Sequence, residues 1–169
     1  MIELKFVTPD GWPEWRRLRL EALRDAPHAF GSTLADWQGE GDTEQRWRNR
    51  LMSVEFNVTA HVGGMSAGMA SGHRQQDGIE LISMWVAPFA RGTGVGDRLV
   101  GAVVDWARRE GASRVLLSVK ADNRPAMRLY GRHAFVDAGP SPESDPGATP
   151  ERLMIRSLRG RNCSSRGRH

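Results

Sequence analysis

Cysteine and long apolar runs are scarce in this 169-residue chain. Its one cysteine, Cys163, permits no internal disulfide, which fits the reducing conditions of the cytoplasm. No stretch approaches the roughly 20 apolar residues of a membrane-spanning helix, and the N-terminus lacks the basic start and apolar run of a secretory signal. The five histidines are scattered and lie near no cysteine pair, so no zinc site is indicated. These absences favour a cytoplasmic protein with no metal and no membrane partner.

An excess of charge of either sign is also missing from most of the chain, although the formal net charge of the whole chain is +4. Residues 159–169, RGRNCSSRGRH, hold four arginines and no acid; without them the 24 basic residues fall to 20, equal to the 20 acids. A Gly/Ser/Arg segment is too polar to pack, so we expect a disordered tail at 159–169 after a single domain of residues 1–158. The neutral domain offers no basic patch, which argues against a nucleic-acid partner.

Lysine is nearly absent: Lys5 and Lys120 stand against 22 arginines. This bears on the glycine-rich segment ARGTGVGDRL, residues 90–99, which lies between an apolar run and a helical pattern. A glycine-rich turn between a strand and a helix is typical of a phosphate site. A phosphate-loop NTPase needs a lysine at the end of that loop, so this class of protein is excluded.

A dinucleotide-binding loop is a weaker match to the same segment. Its third glycine would fall at Asp97 or Leu99, and neither is glycine. Asp122 does end the next apolar run, roughly where a ribose-binding acid is expected, so this alternative stays open. What remains is the pattern Arg-x-x-Gly-x-Gly over residues 91–96, which indicates either another phosphate loop or a plain glycine-rich turn.

Hydrophobic periodicity predicts an α/β fold: a single-domain mixed sheet flanked by helices, in the order β-α-α-β-β-β-α-β-α-β-β. RVLLSVKA, near residue 117, is an unbroken apolar run that suits a strand buried on both faces. The best helical stripe follows the glycine-rich segment and consists of Val95, Leu99, Ala102, Val103 and Trp106.

This order of elements, with VAPFARGTGVGDRLVGAVVDWA followed by VLLSVKADNRPAMRLYGRHAF, resembles the GNAT superfamily of acetyl-CoA-dependent N-acetyltransferases, as a small bacterial member. The resemblance covers roughly residues 3–158, and LRLEALRDAPHAFGST is similar to the substrate-side helices of small members. No single motif is decisive, but together, in this order, they are specific. The resemblance implies acetyl-CoA as co-substrate and no metal, and it leaves a homodimer open.

The resemblance assigns the glycine loop to the pyrophosphate of coenzyme A. Backbone N–H groups at the start of a helix bind such an anion, and the helix dipole favours it. In the family, the main chain of MWV pairs with the pantetheine arm as with an added strand, and an asparagine contacts the same arm; here that asparagine can equally be a helix cap. The cofactor-binding residues implied are Met84, Trp85, Val86, Arg91, Gly92, Thr93, Gly94, Val95, Gly96 and Asn123.

Two residues are candidates for proton transfer. Tyr130 stands where the family has a tyrosine near the thioester sulfur; a phenol with a pKa of about 10 can protonate a thiolate whose acid has a pKa of about 8.5. Tyr130 can also be an amphipathic residue that closes the edge of the core. Glu80 stands where some family members carry a base, and it would deprotonate the acceptor ammonium directly or through water. The alternative is a solvated glutamate at a strand end.

The acceptor is predicted to be a primary amine of a small molecule, such as an antibiotic or an amino-acid-like metabolite. Aromatic faces and acids would suit a cationic amine, which makes Phe30 and Trp37, with Glu40 and Asp42 beside them, the candidate acceptor wall. Each of these four can instead be a core or surface residue. Acetylation of a protein N-terminus or lysine is the alternative function. A module that binds acyl-CoA or RNA without turnover is a third.

One position departs from the family pattern. Ala134 precedes Phe135 where the family usually has glycine. Alanine tolerates a positive φ poorly, so we expect the local turn to differ in shape.

Overall fold

A computed structural model describes residues 1–30 and 32–159. The strands are β1 (Ile2–Phe6), β2 (Phe56–Val62), β3 (Met65–Gln75), β4 (Gly78–Val86), β5 (Arg114–Lys120), β6 (Val136–Pro140) and β7 (Glu151–Ser157). The helices are α1 (Trp12–Asp25), α2 (Leu34–Trp37), α3 (Glu44–Ser53), α4 (Val95–Arg109) and α5 (Arg124–Arg132). The strands form one sheet in the order β1-β2-β3-β4-β5-β7-β6. Its β4–β5 pair is parallel, and its other described pairs are antiparallel.

The predicted order of elements is confirmed, with one addition. The single turn α2 lies between the two N-terminal helices that periodicity predicts. Thr33 caps it: the Thr33 hydroxyl accepts from the Asp36 N–H, and the Asp36 carboxylate accepts from the Thr33 N–H. A four-residue helix is too short for hydrophobic spacing to indicate it.

The C-terminal tail, residues 159–169, falls outside the described residues apart from Arg159. Its disorder therefore stays a prediction. Every described helix is too short or too polar to cross a membrane.

The sheet has a core on each face. The stripe predicted on α4 packs against one face, where Val95, Leu99 and Val103 are fully buried and Ala102 is half-buried. Each such Val or Leu side chain contributes about 1.5–3 kcal/mol on burial. Helices α1 and α3 cover the other face through a separate apolar cluster that includes Trp15, Leu18, Trp47 and Leu51. The helical layers thereby bury both faces of β2 and β3. The prediction that the strand RVLLSVKA is buried on both faces is wrong: in β5 Val115, Leu117 and Val119 are buried, and the residues between them are half-buried because no helix covers that face there.

Strands β4 and β5 pair over only two positions. Ile79 lies beside Val115 and Glu80 beside Leu116, and no further pair joins these strands although both continue for several residues. At Ser83 the φ angle of 54° and a shift in the pairing of β4 with β3 mark a bulge. A bulge bends its strand and redirects the side chains that follow. The two parallel strands therefore separate beyond the bulge and leave a gap within the sheet.

Helix α5 ends on a left-handed residue. Ala134 has a φ of 63°, so the expected difference in the turn is absent: alanine takes the conformation usually given to glycine. The Phe135 N–H donates to the Tyr130 carbonyl and the Ala134 N–H to the Gly131 carbonyl, both at 3.1 Å. This bonding is a Schellman cap, which brings the side chain after the left-handed residue against the last helical turn. Accordingly the Phe135 and Tyr130 rings pack with centroids 5.9 Å apart.

We expect Ala134→Gly to stabilise the protein. Glycine removes a left-handed penalty of roughly 1–2 kcal/mol but adds roughly 0.5–1 kcal/mol of unfolded-chain entropy. The free energy of unfolding, measured by denaturant titration, should rise by about 0.5–1 kcal/mol. Ala102→Gly, the same change inside α4, is the matched control and should lower it by about 1 kcal/mol. A loss of stability in Ala134→Gly would contradict the left-handed conformation.

Candidate active site

A cleft of about 730 Å³ opens where β4 and β5 separate. The end of β4, the glycine loop, the end of β5, α5 and the segment after α1 all contribute to its wall. It brings together ten of the residues predicted for the site: Phe30, Met84, Trp85, Val86, Arg91, Gly92, Gly94, Gly96, Asn123 and Tyr130.

Two of the predicted loop residues point their side chains elsewhere. The Thr93 hydroxyl donates to the Ala90 carbonyl within the loop itself. The Val95 side chain is fully buried in the core, while its backbone is the first residue of α4. Neither side chain lines the cleft, so any contact of Val95 with a ligand must come from its main chain.

The glycine loop leads directly into the N-terminus of α4. Gly94 is the residue before the helix, with a φ of 94° that favours glycine. The first N–H groups of a helix have no intrahelical partners, and the dipole of this 15-residue helix adds positive potential there. Gly92, Gly94 and Gly96 line the cleft at this point. The arrangement can bind a phosphate or pyrophosphate through the main chain.

Arg91 is connected to the end of α1. Its Nη2 pairs with the Asp25 carboxylate, and its Nε donates to the Val86 carbonyl at 3.1 Å. Asp25 also accepts from Trp85 Nε1 at 3.0 Å. The Trp85 hydrogen bond and the Arg91 partner hold the pKa of Asp25 below its ordinary value. Asp25 thus connects the C-terminal end of α1 to both predicted cofactor-binding segments, the end of β4 through Trp85 and the glycine loop through Arg91.

Tyr130 lies on the inner face of α5 and is 7% exposed. It belongs to the same apolar cluster as the α4 stripe and also lines the cleft. Burial raises the pKa of the Tyr130 phenol, because a phenolate would lose solvation there. The residue can therefore hold a proton beside the cleft throughout the neutral pH range.

Asn123 precedes α5 and caps it. Its side-chain oxygen accepts from the Ala126 N–H at 3.3 Å, so the residue is a helix cap, as one of its two interpretations predicts. Asn123 also lines the cleft, and both roles are compatible.

Glu80 stands just before the point where the strands separate and does not line the cleft itself. On β5 its neighbour is Leu116, two residues before Ser118, which does line the cleft. Two residues along a strand span about 7 Å. Burial raises the pKa of Glu80, nearby Glu143 raises it further and His73 opposes them. Such a carboxylate is a stronger base than an exposed one.

Most residues of the predicted acceptor wall contact other parts of the protein or solvent rather than the cleft. Trp37 packs on Trp47 with ring centroids 4.4 Å apart and does not line the cleft. Asp42 pairs with Arg16 at 2.5 Å; the Arg16 and Trp47 hydrogen bonds lower the pKa of Asp42 to about 2. Glu40 lies exposed in a short 3₁₀ turn. Of the four residues, the structure brings only Phe30 to the cleft.

Sequence reasoning missed several residues of the site. Asp25, Ser118 and Arg128 line the cleft, and Arg19 stacks on Phe30. Arg19 could have been noticed, since a charged residue four positions after buried Trp15 falls on the apolar face of α1. Over residues 1–30 and 32–159, no group of three or more His, Cys, Asp or Glu side chains is placed to hold a metal ion.

The family model for the acetyltransferase (GNAT) family matches residues 12–135. The chain therefore belongs to the GNAT acetyltransferase family.

Two relatives with named activities match this chain over part of their own lengths. The mycothiol acetyltransferase of Renibacterium salmoninarum is 39% identical over 141 residues, 79% of this chain and 40% of that protein. The streptothricin acetyltransferase of Streptomyces lavendulae is 33% identical over 101 residues, 60% of this chain and 52% of that protein. The matched part of this chain thus spans about half or less of the length of each.

Solved structures of similar size share the fold. The GNAT acetyltransferase from Streptococcus pneumoniae superposes with a TM-score of 0.73 at 20% identity, covering 93% of this chain and 99% of that one. The structure of yncA from Salmonella typhimurium, solved with its cofactor acetyl-CoA, has a TM-score of 0.69 at 19% identity over 95% of both chains. At these identities the likeness shows the fold alone.

We expect Gly94→Val to weaken acetyl-CoA binding at least about tenfold. A side chain at this φ is strained, and it would stand between the main chain and the pyrophosphate. Calorimetric titration of the folded variant measures the effect. Gly101→Val, in α4 where an added Cβ meets nothing within 4 Å, is the matched control and should bind normally. Wild-type affinity in Gly94→Val would mean that the pyrophosphate binds elsewhere.

Proposed function

We propose that this chain transfers the acetyl group of acetyl-CoA to a primary amine of a small molecule, by direct attack in a ternary complex. The observation that carries the proposal is the cleft, where a glycine loop at a helix N-terminus and Tyr130 meet an unpaired edge of β4. A binding module would need the loop alone. The added phenol, with a half-buried carboxylate nearby, supports an enzyme.

The donor fits the cleft in a definite direction. Pyrophosphate would bind the N–H groups at Gly94 and Gly96, with Arg91 adding charge from the side. The pantetheine arm carries amides. The main chain of Met84 and the N–H of Val86 have no partner on β5, while the Val86 carbonyl accepts from Arg91 Nε. An amide arm laid along this edge would hydrogen-bond as an added strand does. That path would run from the loop toward Tyr130.

The chemical step then needs three proton transfers. The amine nitrogen bonds to the acetyl carbon, the carbon–sulfur bond breaks, coenzyme A leaves as a thiolate, and the nitrogen releases its surplus proton to solvent as the amide forms. Tyr130 donates its phenolic proton to that thiolate and is reprotonated by solvent. Burial raises the pKa of a thiol and of a phenol alike, so the difference between the two pKa values stays small enough for proton transfer. Glu80 accepts the proton that the ammonium must lose before attack, directly or through water.

A small-molecule acceptor is supported by the relatives, whose names specify mycothiol and streptothricin. Protein N-termini are the alternative acceptors. The ribosomal-protein-S18-alanine N-acetyltransferase of Escherichia coli, whose name specifies a protein acceptor, shares the fold with a TM-score of 0.66. An assay of free thiol release across small amines, polyamines and peptides distinguishes the two. The proposal includes a cytoplasmic location, where acetyl-CoA is available.

We expect Tyr130→Phe to lower the single-turnover rate by about 10²–10⁴ while acetyl-CoA affinity changes little. The change keeps the ring packed on Phe135 and removes the proton donor. Because the Tyr130 pKa is raised, the wild-type rate should not fall through phenol ionisation below about pH 10. Near wild-type single-turnover chemistry in the variant would assign Tyr130 to packing alone.

We expect Glu80→Gln to lower the rate by about 10² or more and to remove its acidic limb. In the wild type the rate should rise with pH through the raised pKa of Glu80 and then level off. Glu143→Gln is the control: it removes the neighbouring charge that raises this pKa, so the limb should move to lower pH with the plateau retained. An unchanged acidic limb in both variants would show that another group is the base.

A further inference from the structure

Two arginines lie between the helices and the sheet without an acidic partner. Arg19 on α1 and Arg50 on α3 are each mostly buried, and among the described residues no carboxylate pairs with either guanidinium. Other arginines nearby are paired, as Arg16 is with Asp42. Buried charges in proteins are normally paired because desolvation is costly. Two unpaired cations on the same side of the sheet therefore call for an anion from outside the chain.

Arg19 has fewer hydrogen-bond partners than Arg50. Its guanidinium carbon lies 4.5 Å from the centroid of the Phe30 ring. Its Nη1 is buried and has no hydrogen-bond partner within the described part of the chain. Burial and the charge of Arg50 lower the pKa of Arg19 to about 10, which leaves it charged at neutral pH. The group thus keeps both a charge and a free donor.

Arg50 is held by neutral oxygens. Its Nη1 donates to Asn57 Oδ1 at 3.1 Å, and its Nη2 donates to the hydroxyls of Ser71 and Ser83 at 3.2 and 3.1 Å. It also lies 5.4 Å from the Trp15 ring. These contacts fix the position of the guanidinium without neutralising it. Arg50 therefore supplies a fixed positive field rather than an ion pair.

Each arginine lies one contact behind the wall of the cleft and does not line it directly. Phe30, beneath Arg19, lines it, and Ser83, bonded to Arg50, immediately precedes Met84, which also lines it. The bulge at Ser83 is where β4 turns toward the gap in the sheet. The positive charge is thus placed on the α1–α3 side, across from the glycine loop.

We infer that Arg19, with the charge of Arg50 adding to the positive potential, binds a carboxylate of the acceptor through the wall at Phe30, so that the acceptor is an amine that carries a carboxylate, as amino acids do. The inference rests on the proposed function and narrows its substrate class. A guanidinium binds a carboxylate through two parallel hydrogen bonds, and it does so most strongly where water is excluded. The cationic acceptor suggested by Asp42 and Glu40 loses its support, since Asp42 is neutralised by Arg16 and Glu40 is exposed.

The test compares acceptors that differ only in the carboxylate. Alanine, methionine and phenylalanine are each paired with their α-carboxamides, in acetyl-transfer assays and in calorimetric titrations of the protein loaded with coenzyme A. The amine of a carboxamide loses its proton more readily, so without recognition the carboxamides would react faster. The variants are Arg19→Gln and, as matched control, Arg17→Gln, which makes the same change on the exposed side of α1.

In the wild type and in Arg17→Gln we expect at least one amino acid to exceed its carboxamide tenfold or more in kcat/KM and in affinity. In Arg19→Gln that preference should fall to within about twofold. The melting temperature of Arg19→Gln should not decrease, because the change removes an unpartnered buried charge, whereas a merely structural arginine would destabilise when lost. That result separates carboxylate recognition from packing.

The inference is overturned if carboxamides, polyamines or peptides are acetylated at least as fast as the amino acids, or if the carboxylate preference persists in Arg19→Gln. It is also overturned if the protein loaded with coenzyme A binds no amino acid more tightly than its carboxamide. Carboxylate-selective binding with no transfer to any amine would instead overturn the proposed function and leave the inference standing.

Discussion

Beyond Glu80 and Leu116, two neighbouring parallel strands stop hydrogen-bonding, and both continue with one edge unpaired. Main-chain N–H and C=O groups in a protein interior need partners, so such a gap is stable only where water or a ligand can enter. The bulge at Ser83 holds the gap open, and the two apolar cores hold the strands on either side of it. The cleft, its polar main-chain wall and its access to both helical layers all depend on this missing pairing.

The residues around the gap are positioned by local backbone features. The left-handed Gly94 directs the glycine loop into α4, whose buried stripe anchors that helix to the sheet. The left-handed Ala134 closes α5 so that Phe135 packs against Tyr130. A phenol and a helix terminus able to bind an anion are thereby fixed on the same cavity by two turns, and the pairs of Asp97 with Arg132 and His133 join the two helices.

Features that rest on local chemistry could be predicted from the sequence. The order of strands and helices follows from periodicity, and the loop of glycines before α4 follows from its pattern and its flanks. Thr33 and α2 were missed because one turn has no period. Asp25, Arg19 and Arg50 were missed for a different reason: each owes its place to partners 7 to 66 residues away in the chain. Trp37 and Asp42 show the reverse case: their residue types suit an acceptor wall, but in the structure Trp37 packs on Trp47 and Asp42 pairs with Arg16, as the core or surface alternative allowed.

The bond of Asp25 to both Arg91 and Trp85 has a thermodynamic consequence. An anion that draws Arg91 toward itself must compete with Asp25, the last residue of the helix that also carries Arg19. A shift of that helix end would then alter the affinity of the cleft for a second ligand bound beside it. Linkage makes such coupling reciprocal: whatever factor the first ligand imposes on the second, the second imposes on the first. If acetyl-CoA and the acceptor bind as proposed, the Asp25 carboxylate would couple their occupancies of the cleft.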